Sequence, residues 1–457
     1  MIVMKFGGTS VEDATAIERS AGIVKGRLGH KPAVVVSAMA KVTDQLLAMA
    51  RAAGAGDRKT ALKLCRALQE RHYNTAGELL GTALFTQFHS DLGADFETLE
   101  ELLRGIAAVG ELTPRTTDYV SAFGEILSSK IVAAAFSALG MNAALVDSRE
   151  WLVTDSAHMR AVPLFEESNQ RLQTKVAPLI AAGKVPVMGG FIGASKAGIT
   201  TTIGRGGSDY SAAIVGAGLS AERIEIWTDV DGMMTTDPRL VMEARRIKVI
   251  SFDEAAELAY FGAKVLHPAT VLPAVQKNIP VYVLNSRNPD CEGTKITARA
   301  PRCRNFFKAI AVKKRITIVD VAAPRMQLAH GFLSSIFTAF ERHRVAVDVV
   351  STSEVSVSLT VDSNESIPPL AADLAKLADV KYEGRKAIVC LVGENLRDTP
   401  GIAARVFGEL ADVKIRMISQ GASEINLTFV VEEDAVCDIV QRLHKAFFSD
   451  LDAEVFA

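Results

Sequence analysis

Ile2-Val3-Met4-Lys5-Phe6-Gly7-Gly8-Thr9-Ser10 opens the chain. A short apolar run ends on two glycines and two hydroxyl residues. A strand that opens this way exposes backbone N–H groups at its C-terminal end. A lysine just before such a nest suits a cluster of phosphate oxygens. The spacing differs from the Walker pattern, which places its lysine after a longer glycine loop, and no third glycine follows to make a dinucleotide fingerprint. A phosphate ligand bound here would use another scheme.

The rest of the composition narrows the class. The chain has 457 residues, enough for two to four domains, with 49% hydrophobic and 23% charged residues. The formal net charge of -2 gives no basic field for nucleic acid or an anionic membrane. The N-terminal stretch reads as a strand rather than a signal peptide, and no apolar run approaches membrane-spanning length. The five cysteines are scattered without a C-x-x-C pair, as in a protein with reduced thiols, so a cytoplasmic location is expected. The eight histidines show no i,i+4 pairing, and no metal-ligand set is assigned.

Residues 1–295 alternate strand and helix patterns, as in an α/β domain with a mostly parallel sheet. The expected strands are Ile2–Phe6, Ala33–Ser37, Ala143–Val146, Val185–Met188, Arg223–Thr228 and Val281–Leu284. A long helical region is expected between Val42 and Leu139. Gly189 to Asp209 reads as a hairpin and loop, followed by a helix capped by Ser208 or Asp209. Residues 296–307 read as a linker. Beyond it a repeat appears: Gly331–Phe337 matches Gly401–Phe407, and Ser353–Val357 matches Ser423–Leu427, both offset by 70 residues (331 to 401, 353 to 423). Each copy reads as a small helix-and-strand unit, suited to a pair of sensors or to a structural dimerisation module.

Three more clusters carry polar chemistry. Gly204-Arg205-Gly206-Gly207-Ser208-Asp209 joins close-approach backbone, a fixed cation, a hydroxyl and a carboxylate near a helix start. A tight turn with a capping Asp reads equally well. Trp227-Thr228-Asp229 through Asp237-Pro238-Arg239 follows a strand, at the sheet edge where open α/β folds bind ligands, although its Asp-Gly and Asp-Pro pairs are also turn signals. In Phe261-Gly262-Ala263-Lys264-Val265-Leu266-His267-Pro268 a lysine interrupts an apolar stretch, so its charge needs a partner, and a structural ion pair would serve as well as a ligand. Together the clusters point to phosphoryl transfer from a nucleotide, with lysines and amides spread over the phosphoryl oxygens. No general base is evident in these loops. A carboxylate acceptor, ionised above a pKa of about 4, needs none.

These motifs, with Thr352-Ser353-Glu354-Val355-Ser356-Val357 in the tail, resemble aspartokinase, and the likeness is close to the lysine-sensitive bacterial type. The resemblance covers nearly the whole chain. It implies an α/β amino-acid kinase fold (a mostly parallel sheet between helices) over residues 1–295. It also implies two ferredoxin-like α+β ACT domains, at 308–385 and 386–439, with 440–457 returning as a last strand to the first. The implied reaction is ATP plus L-aspartate giving ADP and 4-phospho-L-aspartate with Mg2+, the first step toward lysine, threonine and methionine. The implied catalytic residues are Lys5, Asp209 and Lys264. Lys5, Gly7, Gly8, Lys264 and Arg239 would face the nucleotide phosphates, with Thr228 and Asp229 near the ribose or adenine. Met234 stands where relatives commonly carry a Tyr, and its soft thioether can still cover a purine. Arg205 would clamp the α-carboxylate of aspartate and Glu125 its ammonium, with Ser37, Thr43 and Ser208 around the substrate.

The resemblance also implies an effector site for L-lysine formed by Met326, Phe332, Leu333, Val347, Asp348, Thr352, Ser353 and Glu354. Asp348 would face an ammonium and Ser353 a carboxylate. Ala329 and Ala346 replace serines of close relatives, each a lost hydroxyl contact worth about 1 kcal/mol. A homodimer or homotetramer through the ACT domains is expected, with no nucleic-acid or membrane partner. Two other readings remain from the residues: a kinase of the same fold acting on glutamate, carbamate or a nucleoside monophosphate, and a ligand sensor whose catalytic half has decayed.

Overall fold

The computed structural model describes residues 1–262, 268–322 and 331–457. Two compact units emerge, Met1–Gly232 with Val265–Arg299, and Met233–Lys264 with Ala300–Ala457. Chain order had put Met233–Lys264 with the first half, but by its contacts it groups with the tail.

In the first unit, strands Ala143–Val146, Val185–Gly189, Pro32–Val36, Ile2–Phe6, Arg223–Thr228, Val281–Asn285 and Thr294–Thr297 lie side by side in that order. All neighbours are parallel except the antiparallel pair Val281–Asn285 and Thr294–Thr297. The expected strands therefore form, three with the same ends and three with one or both ends shifted by one residue. Ile2–Phe6 sits inside the sheet and is buried at every position, which is why it reads as a continuous apolar run. Ile2, Met4, Phe6, Val34 and Val36 pack with Ile17, Leu46, Phe123, Leu127 and Ile131 from flanking helices.

The long helical region resolves into Val42–Gly54, Arg58–Val109 and Pro114–Ala138. The Arg58–Val109 stretch is broken at Gly81, whose φ of 64° and ψ of 171° suit only glycine. Its second half folds back on the first: Tyr73 stacks on His89 at 4.4 Å and His72 meets Phe96 edge-on at 5.7 Å. Pro114–Ala138 is long and apolar enough to cross a membrane, and 78% of its most apolar stretch is buried inside the protein.

The expected hairpin forms from Ile192–Ser195 and Thr200–Thr202. The expected cap does not. Helix Gly207–Gly218 starts from Gly206, at φ 72°, with no side-chain cap. Ser208 and Asp209 fall in its first turn, and the Asp209 carboxylate is engaged by Lys5 instead.

In the second unit a sheet runs Val347–Thr352, Ser356–Asp362, Ala309–Ala322, Asp379–Val392, Asn426–Glu432 and Met417–Gln420. The repeat is real in three dimensions: Ser356–Asp362 and Asn426–Glu432 are equivalent strands, and Gly331 and Gly401 start equivalent helices at φ 86° and 74°. The expected last strand is absent. Residues 436–447 form an amphipathic helix, and the segment after it makes an isolated bridge from Phe456 to Ile247 instead of entering the sheet. The first repeat's sheet is completed by the N-terminal part of Asp379–Val392, which pairs with Ile316–Ala322. Within the linker stretch Phe307 is fully buried, edge-on to Phe447 at 4.9 Å.

Candidate active site

Lys5 is the penultimate residue of a strand buried on both faces and is only 8% exposed. A buried ammonium needs a counter-charge. Asp209 supplies it, Oδ1 lying 2.7 Å from Lys5 Nζ. Asp209 reaches that point because Gly204, at φ 81°, and Gly206 turn the chain tightly before the helix.

The glycine nest is held from two sides. The Gly7 N–H donates to the Trp227 carbonyl at 3.0 Å, and the Ala40 N–H donates to the Gly8 carbonyl at 3.1 Å. A Cβ on Gly8 would stand 2.9 Å from the Ala38 carbonyl oxygen, so no other residue fits without moving backbone. Trp227 is itself fixed from beneath: its indole N–H donates to the buried carboxylate of Glu225 at 3.1 Å, and Arg27 lies 5.0 Å over its ring.

Glu125 lies on Pro114–Ala138 and is 4% exposed. One oxygen accepts from the Ala38 N–H at 3.1 Å. The other is buried with no hydrogen-bond partner among the described residues. Burial pushes its pKa up to about 8, against the opposing pull of the Ala38 N–H and the Lys5 charge. The acceptor side is crowded: a Cβ on Gly189 would stand 3.0 Å from the Glu125 carbonyl oxygen, and one on Gly190 2.6 Å from Ser208 Cα. Lys5, Gly7, Gly8, Glu125, Ser208 and Asp209 are thus drawn to one end of the sheet. Ser37 joins them through its carbonyl, which accepts from the Ser128 hydroxyl at 2.8 Å. The Thr43 hydroxyl stands 3.7 Å from where a Gly124 Cβ would be.

Arg205 is exposed between its two glycines and makes no ion pair with any described residue. Thr228 donates to Asp229 at 3.2 Å. Beyond them Asp231 accepts from Asn285 at 2.8 Å, a contact that no local motif announces.

In the second unit Met234 is half-buried and bridged to Arg246, while Arg239 folds onto Asp237 at 2.6 Å. Lys264 and Met326 lie outside the described residues, as do His267 and Ala329. Of the expected effector residues, Phe332 and Val347 pack against the tail's own core, and Leu333 and Thr352 are exposed. Ser353, also exposed, closes its own loop through Ser356, with 2.8 Å between the hydroxyl oxygens. Asp348 is already engaged: Lys313 Nζ lies 2.7 Å and 2.8 Å from its two oxygens, and the Tyr260 hydroxyl donates to it at 2.8 Å. Burial works against the Lys313 charge, but Asp348 and Asp362 outweigh it and hold its pKa above the usual value.

The fold and the lysine-lined nest define a phosphoryl-transfer protein of the amino acid kinase class, and the model of the amino acid kinase family matches residues 1–285. An ACT domain model matches 389–447. The chain is 37% identical to chloroplastic aspartokinase 1 of Arabidopsis thaliana, over 98% of this chain and 80% of that protein. It is also 37% identical to lysine-sensitive aspartokinase 3 of Escherichia coli, over 98% and 99%. Among solved structures it is similar to E. coli aspartokinase III in complex with aspartate and ADP, with a TM-score of 0.85 and 36% identity over 98% of this chain and 100% of that one. The same enzyme with lysine and aspartate gives a TM-score of 0.86 at equal identity and coverage. The chain belongs to the aspartokinases of the amino acid kinase family.

Proposed function

We propose that the chain transfers the γ-phosphoryl group of ATP to the side-chain carboxylate of L-aspartate, giving ADP and 4-phospho-L-aspartate. The observation that carries the substrate assignment is the Glu125 oxygen, buried and without a hydrogen-bond partner among the described residues. A buried acceptor of this kind is costly until a donor arrives, and the α-ammonium of an amino acid is such a donor. Arg205, exposed and uncommitted, takes the α-carboxylate in a forked contact. With both ends held, the side-chain carboxylate is left to point toward the nest.

The transfer needs no general base. A carboxylate oxygen attacks the γ-phosphorus, the bond from that phosphorus to the bridging oxygen breaks, and ADP leaves with the electron pair. Lys5 and the Gly8 amide draw off the charge on the transferring oxygens, while the Gly7 N–H, expected beside them, is held by the Trp227 carbonyl. Asp209 holds the Lys5 ammonium in place rather than taking a proton. Thr228 and Asp229 face the nucleoside. For Met234, Arg239 and Lys264 a nucleotide contact is proposed on the resemblance alone. Among the described residues no group of three or more His, Cys, Asp or Glu could hold a metal ion. Mg2+ carried on the ATP phosphates keeps most of its waters and needs few protein ligands, and Asp209 is the carboxylate of the nest that would hold it. Bound there, it would neutralise phosphate charge.

L-lysine is the proposed effector, acting at Asp348 and Ser353, and the product would feed the synthesis of aspartate-derived amino acids. Asp348 already holds a lysine ammonium, that of Lys313, so the chemistry of the contact suits the ligand. The proposed oligomer is a dimer or tetramer through the tail sheet, whose outer strands carry the exposed Val350 and Ile418.

The test is hydroxamate formation from ATP, aspartate and hydroxylamine. Glu125→Gln should raise the KM for aspartate well beyond that for ATP. Equal rises would remove the Glu125 assignment, and no acyl phosphate from the wild type would remove the reaction. Activity that stays flat up to millimolar lysine would remove the effector.

A further inference from the structure

A second buried carboxylate lies on the helix that carries Glu125. Asp118 is 1% exposed and meets three residues from two separate segments. The His158 ring nitrogen Nδ1 is 2.7 Å away, the Met159 N–H donates at 2.9 Å and 3.1 Å to its two oxygens, and the Thr202 hydroxyl donates at 2.5 Å. These partners surround the base of the Arg205 loop. Thr202 ends the strand that runs into Gly204, and its carbonyl accepts from the Ala161 N–H at 2.9 Å. Met159 holds the left-handed φ of 68°, and its carbonyl oxygen would be 3.4 Å from a Cβ on Gly204. The segment from His158 to Ala161 is therefore clamped between Asp118 and the Gly204 turn, directly behind Arg205.

We infer that Asp118 is a positioning residue for aspartate binding: through His158, Met159 and Thr202 it fixes the loop that presents Arg205. The inference rests on Arg205 being the α-carboxylate clamp. Asp118 and Glu125 are seven residues apart, close to two helical turns, so they share a face about 10 Å apart along the axis. One rigid helix then sets the ammonium receptor directly and the carboxylate clamp through the loop, so both ends of the substrate are referred to the same element. A loop arginine left unsupported loses that fixed spacing, and substrate alignment suffers before chemistry does. An acidic side chain with four donor contacts does more than cap a helix, and none of these contacts touches the Lys5 nest.

Steady-state kinetics on Asp118→Ala, Arg205→Ala, the double variant and Asp118→Asn test this. Asp118→Ala should raise the KM for aspartate about tenfold, as expected for lost charge-assisted contacts, with the KM for ATP changed less than about twofold. In the Arg205→Ala background the same change should add less than about twofold, because the loop then has nothing to present. Asp118→Asn should recover most of the loss, since the Thr202 hydroxyl and the His158 ring can both reverse their donor roles. Equal rises in both KM values, or full additivity with Arg205→Ala, would overturn the inference. Wild-type behaviour of Asp118→Ala beside a raised aspartate KM in Arg205→Ala would overturn it and leave the clamp standing. An unchanged aspartate KM in Arg205→Ala would overturn the clamp and this role together. If Asp118→Ala does not fold, Thr202→Val removes one of the same contacts and is read by the same criteria.

Discussion

Lys5 Nζ and Asp209 Oδ1 stand 2.7 Å apart although 204 positions of chain separate them (5 to 209), one near the C-terminal end of a strand and the other in the first turn of a helix. The pair locks the ammonium toward the nest. A charge aimed in advance at the transferring oxygens needs no reorganisation when they become more negative.

Asp209→Ala should therefore lower kcat about 100-fold, the size expected for a lost electrostatic stabiliser. The KM for aspartate should change far less. A coupled assay of ADP release measures both, and an unchanged kcat would mean that Lys5 is oriented by something else.

Glu125 gives a pH prediction with a definite sign. Its folded-state pKa is raised from 4.5 to about 8 by burial. Between those values the native state keeps a proton that the unfolded chain has released, so stability falls as pH rises across this window and levels off above it. Glu125→Gln removes the titration. Its melting temperature should gain on the wild type progressively from pH 5 to pH 8, as followed by thermal denaturation.

The same shift predicts proton release on binding. The ammonium of aspartate stabilises ionised Glu125, so near pH 7 aspartate should expel close to one proton. Calorimetry in buffers of different ionisation enthalpy reads this number directly. In Glu125→Gln the buffer dependence should vanish.

Gly81→Ala probes the helical hairpin alone. With φ at 64° and ψ at 171°, any side chain is strained there, by about 1–3 kcal/mol. The melting temperature should drop while the KM values of the folded enzyme stay unchanged.

Lys313→Ala removes the internal ammonium from Asp348 while Tyr260 remains bonded to it. If lysine competes for that carboxylate, the variant should be half-inhibited at a several-fold lower lysine concentration than the wild type. A higher concentration would mean that the pair helps to form the effector site.

The strands were legible because buried parallel strands are short, apolar and uninterrupted, as in Ile2–Phe6 and Arg223–Thr228. The tail repeat was legible because two similar helix starts need the same left-handed glycine, Gly331 and Gly401. The helix start at Gly207 was misread because Ser208 and Asp209 are good caps in isolation. A distant lysine claims that aspartate, and distance in sequence hides the competition. The missing final strand was misread for a related reason. The Asp379–Val392 strand is long enough to serve both repeats, leaving no vacancy for residues 440–457.

By itself the sequence determined the class of chemistry: glycine nests, paired cations and no evident base are local properties, written in residues close together. Only the tertiary structure decided which charges are satisfied. Glu125 looks like any helix-face glutamate until the fold buries it beside the Ala38 N–H, with one oxygen unpaired among the described residues. Asp118 looks equally ordinary until His158, Met159 and Thr202 converge on it. Burial and convergence are properties of segments far apart in the chain, and folding alone brings them together.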